Sequence, residues 1–316
     1  MPDEKVTRKF LICCYSLPLL FSLFVFCGPL GYGIDVHASY QKAESWFNYM
    51  EPLGWVLARQ SITIGPQKYF IGGTITAFIL SSGLLFLSLT ILTPRLGYLF
   101  TLSTYCLLLF THPIILSSTN VLRQGIGMGF LYFALGCFVK RRVLLGVICL
   151  ICAILSHKSI VLLSPILLIY YLFPKSIVRS ILICIAWLSV VSLIQFHEYK
   201  IYPTGINYFP IAIILFVTAF FCFNILFERY RHHVLYVQER YLLNYIVLNT
   251  LSIIFMAKYP ILMQRLLMIL MIPMYFYIFI VIPIDKTSKK ILMFLITIAW
   301  VIVTLLSPAL RTWEPL

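Results

Sequence analysis

Long apolar runs, separated by short polar or charged segments, cover most of the chain. The runs are continuous and do not alternate between polar and apolar positions, which favours helices over strands. About 20 apolar residues cross a bilayer, where the backbone must satisfy its own hydrogen bonds. The sequence therefore predicts an all-α, polytopic integral membrane protein that forms one domain over residues 1–316. About eleven spans are predicted, near residues 10–30, 70–93, 96–116, 119–139, 143–157, 158–173, 180–196, 209–227, 241–257, 266–284 and 291–307.

The spans 119–139 and 143–157 are joined by the basic segment Lys140–Arg142, and together they predict a membrane hairpin. Basic residues in a short loop mark the cytoplasmic side of a membrane. Arg123 and His157 should therefore meet at the opposite face. A cation and an imidazole at a membrane surface are expensive to place there without a function, so this pair is the first candidate for a site. The spans on either side of His157 are short and could form a tilted or re-entrant pair.

The orientation of the chain follows from its charges. With the N-terminus in the cytoplasm and eleven crossings, most of the 24 lysines and arginines lie in cytoplasmic loops, as the positive-inside rule requires. The C-terminus is then periplasmic. The longest outer segment is residues 31–67, in which Trp46, Met50, Leu53 and Leu57 fall at helical spacing and predict an interfacial helix.

Composition narrows the possible functions. The chain is 61% hydrophobic and 11% charged, with a mean hydropathy of +0.98, whereas soluble domains carry about 25% charged residues. The net charge of +14 comes from clusters between apolar runs, so we interpret it as a topology signal and as a contact for membrane lipids, not for nucleic acid.

Several kinds of chemistry lack their motifs. The chain has three aspartates, Asp3, Asp35 and Asp285, and none forms an Asp-x-Asp pair for a metal-bound nucleotide. It has no phosphate-binding Gly-x-x-x-x-Gly-Lys loop, no Gly-x-Ser-x-Gly elbow and no His-Glu-x-x-His zinc motif. Every carboxylate falls in a loop or at the end of a span, which disfavours ion-coupled transport. We predict no metal and no cofactor.

A series of short motifs resembles the EpsG-like, Wzy-type family of bacterial polysaccharide polymerases over about residues 30–280. Asn120–Gln124, of the form Asn-x-x-Arg-Gln, followed by His-x-Ser at 157–159, is the most specific part. The other matching elements are Gly33-Ile34-Asp35 with Tyr40, Glu51-Pro52-Leu53, and Arg265 ahead of a proline-containing span.

The resemblance implies a periplasm-facing, lipid-donor glycosyltransferase of GT-C-like architecture in the bacterial inner membrane. Such enzymes transfer a polymer from undecaprenyl diphosphate to an incoming lipid-linked repeat unit, as in O-antigen (lipopolysaccharide) or capsule synthesis. A chain-length regulator is a further candidate partner. Arginine binds phosphate oxygens bidentately and can stabilise a departing diphosphate without a metal. The candidates for binding the diphosphate are Arg123, Gln124, Arg265 and Arg59.

An inverting transfer also needs a base for the acceptor hydroxyl. The outer-side candidates are Asp35, Glu51 and His157. Each has a structural explanation as well: Asp35 could stabilise a turn, Glu51 could cap the helix that Pro52 would begin, and His157 could be a satisfied interfacial histidine. Arg123 could equally anchor a helix end by snorkelling.

Two other classes of protein remain open from the sequence. One is a flippase for the same lipid-linked glycan, whose loss would leave no repeat unit on the outer face. The other is a membrane acyltransferase, whose loss would change glycan acetylation but not chain length.

Overall fold

The computed structural model describes residues 51–59, 62–64, 67–69, 71–92, 122–164 and 260–281. It also describes single residues at 105, 109, 114, 167, 185, 242, 245, 246, 249, 250 and 253. Apart from one short hairpin and a few turn or linking residues, the described residues are helical. The turn and linking residues are Glu51, Arg59, Lys140–Arg142, His157 and Leu163. Asp35 lies outside the described residues, as do most of the other predicted spans, so the count of eleven helices and the GT-C-like architecture stay predictions. The chain divides into two compact units, Met1–Ile160 with Pro283–Leu316 and Val161–Ile282.

The first described helix, α1, runs from Pro52 to Ala58, and Glu51 is its N-cap residue. Proline suits the first position of a helix because its fixed φ is already helical and it has no N–H to leave unsatisfied. Strands β1 (Ile62–Ile64) and β2 (Gln67–Tyr69) follow as an antiparallel pair in which Ile62 faces Tyr69. Helix α1 lies within residues 31–67, where the sequence predicted an interfacial helix. The hairpin was not predicted, because strands of three residues are too short to show alternation.

Helices α2 (Ile71–Phe78) and α3 (Leu84–Leu92) are joined by a π-helical turn, Ile79–Gly83, into one uninterrupted rod. The hydroxyls of Ser81 and Ser82 donate to the Phe78 carbonyl at 3.3 and 2.5 Å. These bonds satisfy the serine hydroxyls within an apolar segment. The rod agrees with the span predicted at 70–93.

Helices α4 (Leu122–Val139) and α5 (Val143–Ser156) pack along each other as the hairpin predicted from the sequence. The basic turn closes α4 with two backbone hydrogen bonds, Arg141 N–H to Phe138 O at 3.0 Å and Arg142 N–H to Cys137 O at 2.9 Å. Arg141 has φ 58°, the left-handed conformation that a helix C-terminus of this kind requires. The turn residues are exposed.

Helix α4 is the centre of the first unit, because α1, α2, the π-helical turn, α3 and α5 all contact it. Small residues allow these approaches: a Cβ at Gly129 would overlap the carbonyl oxygen of Leu80 in the π-helical turn. Ser88 on α3 donates a hydrogen bond of 2.7 Å to the Tyr132 carbonyl on α4. Side chains of α1, α2 and the start of α4 form a buried apolar cluster, comprising Trp55, Ala58, Ala77, Leu122 and Ile126.

Within the described residues, two helical stretches are long and apolar enough to cross a membrane, Ile75–Leu92 and Leu122–Val139. Helix α5 is shorter and exposes apolar side chains such as Leu144, Ile148 and Ile151. In the second unit, helix α6 runs from Pro260 to Val281 and carries Pro273 in its interior.

Candidate functional site

Three element ends come together in the first unit: the start of α1, the start of α4 and the end of α5. Glycines make the approach possible. A Cβ at Gly54 would overlap the carbonyl oxygen of Ser156, and a Cβ at Gly127 would lie 3.4 Å from the Cβ of His157. The backbone of His157 is extended (φ −156°, ψ 119°) and separates α5 from a 3₁₀ helix, Lys158–Leu162. This break places the imidazole beside α1.

Where these three ends meet, the carboxylate of Glu51, at the start of α1, contacts residues of the other two. Its Oε2 forms an ion pair with Nη1 of Arg123. Its Oε1 lies 2.8 Å from Nδ1 of His157 and accepts a hydrogen bond of 2.9 Å from the backbone N–H of Lys158. One carboxylate therefore links α1 to α4 and to the end of α5.

Glu51 is ionised in this arrangement. Burial alone would raise its pKa, but the hydrogen bond and charge of His157, the charge of Arg123 and the backbone N–H of Lys158 outweigh burial and lower the pKa to about 2. An ionised carboxylate can only accept hydrogen bonds. Nδ1 of His157 therefore carries a proton and donates a hydrogen bond to Glu51.

The guanidinium of Arg123 has a second partner, the indole ring of Trp55. Its Cζ lies 4.3 Å from the ring centroid, within the range of a cation–π contact. Trp55 follows Glu51 by four residues, so both side chains lie on the same side of α1. The sequence motifs do not mark Trp55 as a candidate site residue.

Exposure distinguishes the members of this cluster. The side chain of Arg123 is 23% exposed, whereas those of Glu51 and His157 are 3% and 4% exposed. A ligand approaching from outside therefore meets Arg123 first. Glu51 and His157 lie beneath it.

The other candidate residues are placed differently. Gln124 is buried in α4, one position after Arg123. Arg59 is buried at the opposite end of α1 from Glu51, about 12 Å along the helix axis at 1.5 Å per residue. Arg265 belongs to the second unit, near the start of α6, and is partly buried.

Two contributors were missed from the sequence, the Trp55 ring and the Lys158 backbone N–H. The four-residue spacing of Glu51 and Trp55 in a helix beginning at Pro52 was the signal for the first. The second had no sequence signal, since any residue after His157 offers the same amide. In the part of the chain that the structure describes, no three His, Cys, Asp or Glu side chains come together in a way that could hold a metal ion.

The model of the EpsG family matches residues 10–310. No curated protein and no solved structure matches the chain.

Proposed function

Because the chain belongs to the EpsG family, we propose that it is a polysaccharide polymerase that acts as a glycosyltransferase in the membrane. In this proposal it transfers a growing glycan from undecaprenyl diphosphate to a lipid-linked repeat unit on the periplasmic side of the bacterial inner membrane. The product is a surface polysaccharide such as O-antigen or capsule. The observation that carries the proposal, beside the family, is the partly exposed Arg123 guanidinium held over the buried pair Glu51 and His157.

Arg123 suits the diphosphate leaving group. A guanidinium presents five N–H donors in a plane and binds phosphate oxygens at two points. A fixed cation at this position stabilises the charge that develops on the diphosphate as the glycosidic bond breaks. The cation also lies at the end of α4 opposite the basic turn, so it would face the periplasm when that turn faces the cytoplasm.

Among the candidate bases we assign the proton transfer to His157 in preference to Glu51. A carboxylate whose pKa is about 2 accepts a proton poorly at neutral pH, and catalytic bases work best when their pKa lies near the working pH. Glu51 instead holds Nδ1–H of His157, so the proton of the acceptor hydroxyl would go to Nε2. The carboxylate then stabilises the imidazolium that forms. Asp35 remains a further candidate base.

Glu51 also stabilises the charges of the site once the proton has been transferred. Arg123 and a protonated His157 would repel each other if no anion lay between them. Binding of a diphosphate supplies additional negative charge beside Arg123. Gln124, Arg59 and Arg265 stay predicted contacts of the diphosphate.

The test is the length distribution of surface glycan in a strain that lacks the gene and carries plasmid variants. We expect wild type to restore long chains and Arg123→Ala or His157→Ala to leave single repeat units on the outer face at normal protein levels. Lys140→Ala, which removes an exposed cation of the basic turn, is the matched control and should restore long chains.

Other outcomes identify other functions. Absence of any repeat unit on the outer face of the deletion strain would indicate a flippase. Unchanged chain length with altered acetylation would indicate an acyltransferase. Long chains in the Arg123→Ala and His157→Ala strains would remove these residues from the mechanism.

A further inference from the structure

We propose that Trp55 is a positioning residue that holds the Arg123 guanidinium in place for binding the lipid-linked diphosphate. This inference rests on the proposed function. It assigns to Trp55 a role that neither the family match nor the sequence motifs give it. The observations are the 4.3 Å contact of Arg123 Cζ with the indole centroid and the ion pair of Nη1 with Glu51.

The two contacts restrain the guanidinium in different ways. Glu51 binds it at an edge, which fixes one Nη1 direction but leaves rotation about that direction. Cζ lies over the Trp55 ring, 4.3 Å from its centroid, which limits where the guanidinium can move. Bidentate phosphate binding depends on how the guanidinium is placed, so the two contacts together favour one pose.

Both residues that restrain the guanidinium, Glu51 and Trp55, belong to helix α1 or its N-cap. Glu51 occupies the N-cap position, without a side-chain hydrogen bond to the helix, and Trp55 lies in the second turn. Trp55 is 8% exposed and packs in the apolar cluster with Leu122 and Ile126 at the start of α4. The indole ring therefore packs against this apolar cluster and also contacts the Arg123 guanidinium. Of the aromatic side chains, tryptophan gives the strongest cation–π attraction.

A purely structural role for Trp55 makes a different prediction. If the ring only filled the apolar cluster, its replacement would lower stability and activity to the same extent whether residue 123 was arginine or lysine. Lysine keeps the positive charge and can also lie over an aromatic ring, but its ammonium has no planar fork to present to a phosphate. If Trp55 positions the guanidinium, its replacement should lower activity strongly when residue 123 is arginine and far less when residue 123 is lysine.

The experiment measures kcat and KM for purified full-length protein in liposomes, with an undecaprenyl-diphosphate-linked repeat unit as substrate. Trp55→Leu and Trp55→Phe are each made in wild type and in Arg123→Lys. We expect Trp55→Leu to lower kcat/KM about tenfold in the arginine background, the size of a desolvated cation–π contact. In the lysine background we expect a loss of less than about twofold, because a single ammonium has no bidentate geometry to lose. Trp55→Phe, which keeps an aromatic face and guards against misfolding, should give a smaller loss with the same dependence on residue 123.

Equal losses in the two backgrounds, or no loss in either, would overturn the positioning role. Trp187→Leu, in the span predicted at 180–196, is the matched control and should act equally in both backgrounds. Thermal unfolding of the same variants in detergent micelles, without substrate, separates this proposal from the proposed function. Trp55→Leu should lower Tm more in the arginine background even if the protein does not polymerise this substrate, and equal decreases in Tm would reject a contact that is specific to the guanidinium.

Discussion

Replacing Glu51 with glutamine keeps the shape of a buried side chain and removes its charge. The fall in the pKa of Glu51 from 4.5 to about 2 measures how strongly the fold prefers the ionised form. At about 1.4 kcal/mol for each pKa unit, this preference is worth roughly 3 kcal/mol of folding free energy at neutral pH. Because glutamine also leaves Arg123 without its counter-ion, we expect Glu51→Gln to destabilise the protein by an amount of this order.

The dependence on pH follows from the direction of the change in pKa. A carboxyl whose pKa is lower in the folded than in the unfolded state stabilises the fold above the unfolded pKa. That stabilisation is lost as the pH falls towards the folded pKa. For Glu51 the window runs from about 4.5 down to about 2. Wild type should therefore lose stability in this window, and Glu51→Gln should lose less.

Thermal unfolding in detergent micelles between pH 3 and pH 7 tests both statements. The matched control is Glu239→Gln, in a loop that the sequence predicts to be cytoplasmic, and it should behave as wild type does. The reasoning fails if Glu51→Gln unfolds at the wild-type temperature at pH 7, or if its Tm falls with acid as steeply as that of wild type.

Three further predictions concern the same unit. His157→Gln should lower kcat at least about a hundredfold and flatten the acidic limb of the pH–rate profile; an unchanged profile would exclude His157 as the base. Arg141→Gly should raise unfolding stability by about 1 kcal/mol in a thermal assay, because glycine adopts the left-handed conformation without a steric penalty, and a decrease would contradict this. Gly54→Ala should destabilise by about 1–3 kcal/mol and reduce activity, since its Cβ would overlap the Ser156 carbonyl. Gly83→Ala, where a Cβ would meet nothing within 4 Å, is its control, and equal effects of the two would count against the tight contact.

Hydrophobic patterning predicted the part of the fold that depends on local sequence. The rod at residues 71–92 and the hairpin of α4 and α5 follow from long apolar runs and a basic turn, and the structure has them close to the predicted bounds. The same argument put Arg123 and His157 at one end of that hairpin. In the structure both contact Glu51.

Hydrophobic patterning could not predict that α1 contacts the start of α4 and the end of α5. Glu51 precedes Arg123 by 72 positions and His157 by 106, and no local pattern encodes a contact over such separations. The approach depends on glycines such as Gly54, whose role is visible only when the opposing carbonyl is known. The stacking of Trp55 on Arg123 is likewise a product of the tertiary arrangement.

The π-helical turn at residues 79–83 constrains the chain in a way that hydrophobicity does not. A π-helical turn contains one more residue than an α-helical turn. The two halves of the rod are therefore rotated relative to each other about the helix axis by about 100°. The first half can then set Gly73 against the Ala58 carbonyl of α1, while the second half sets Ser88 against α4. Deleting one residue there would leave an apolar segment long enough to cross the bilayer, yet it would turn α2 away from the small helix that carries Glu51. In this segment the orientation of α2 depends on the number of residues as much as membrane insertion depends on their hydrophobicity.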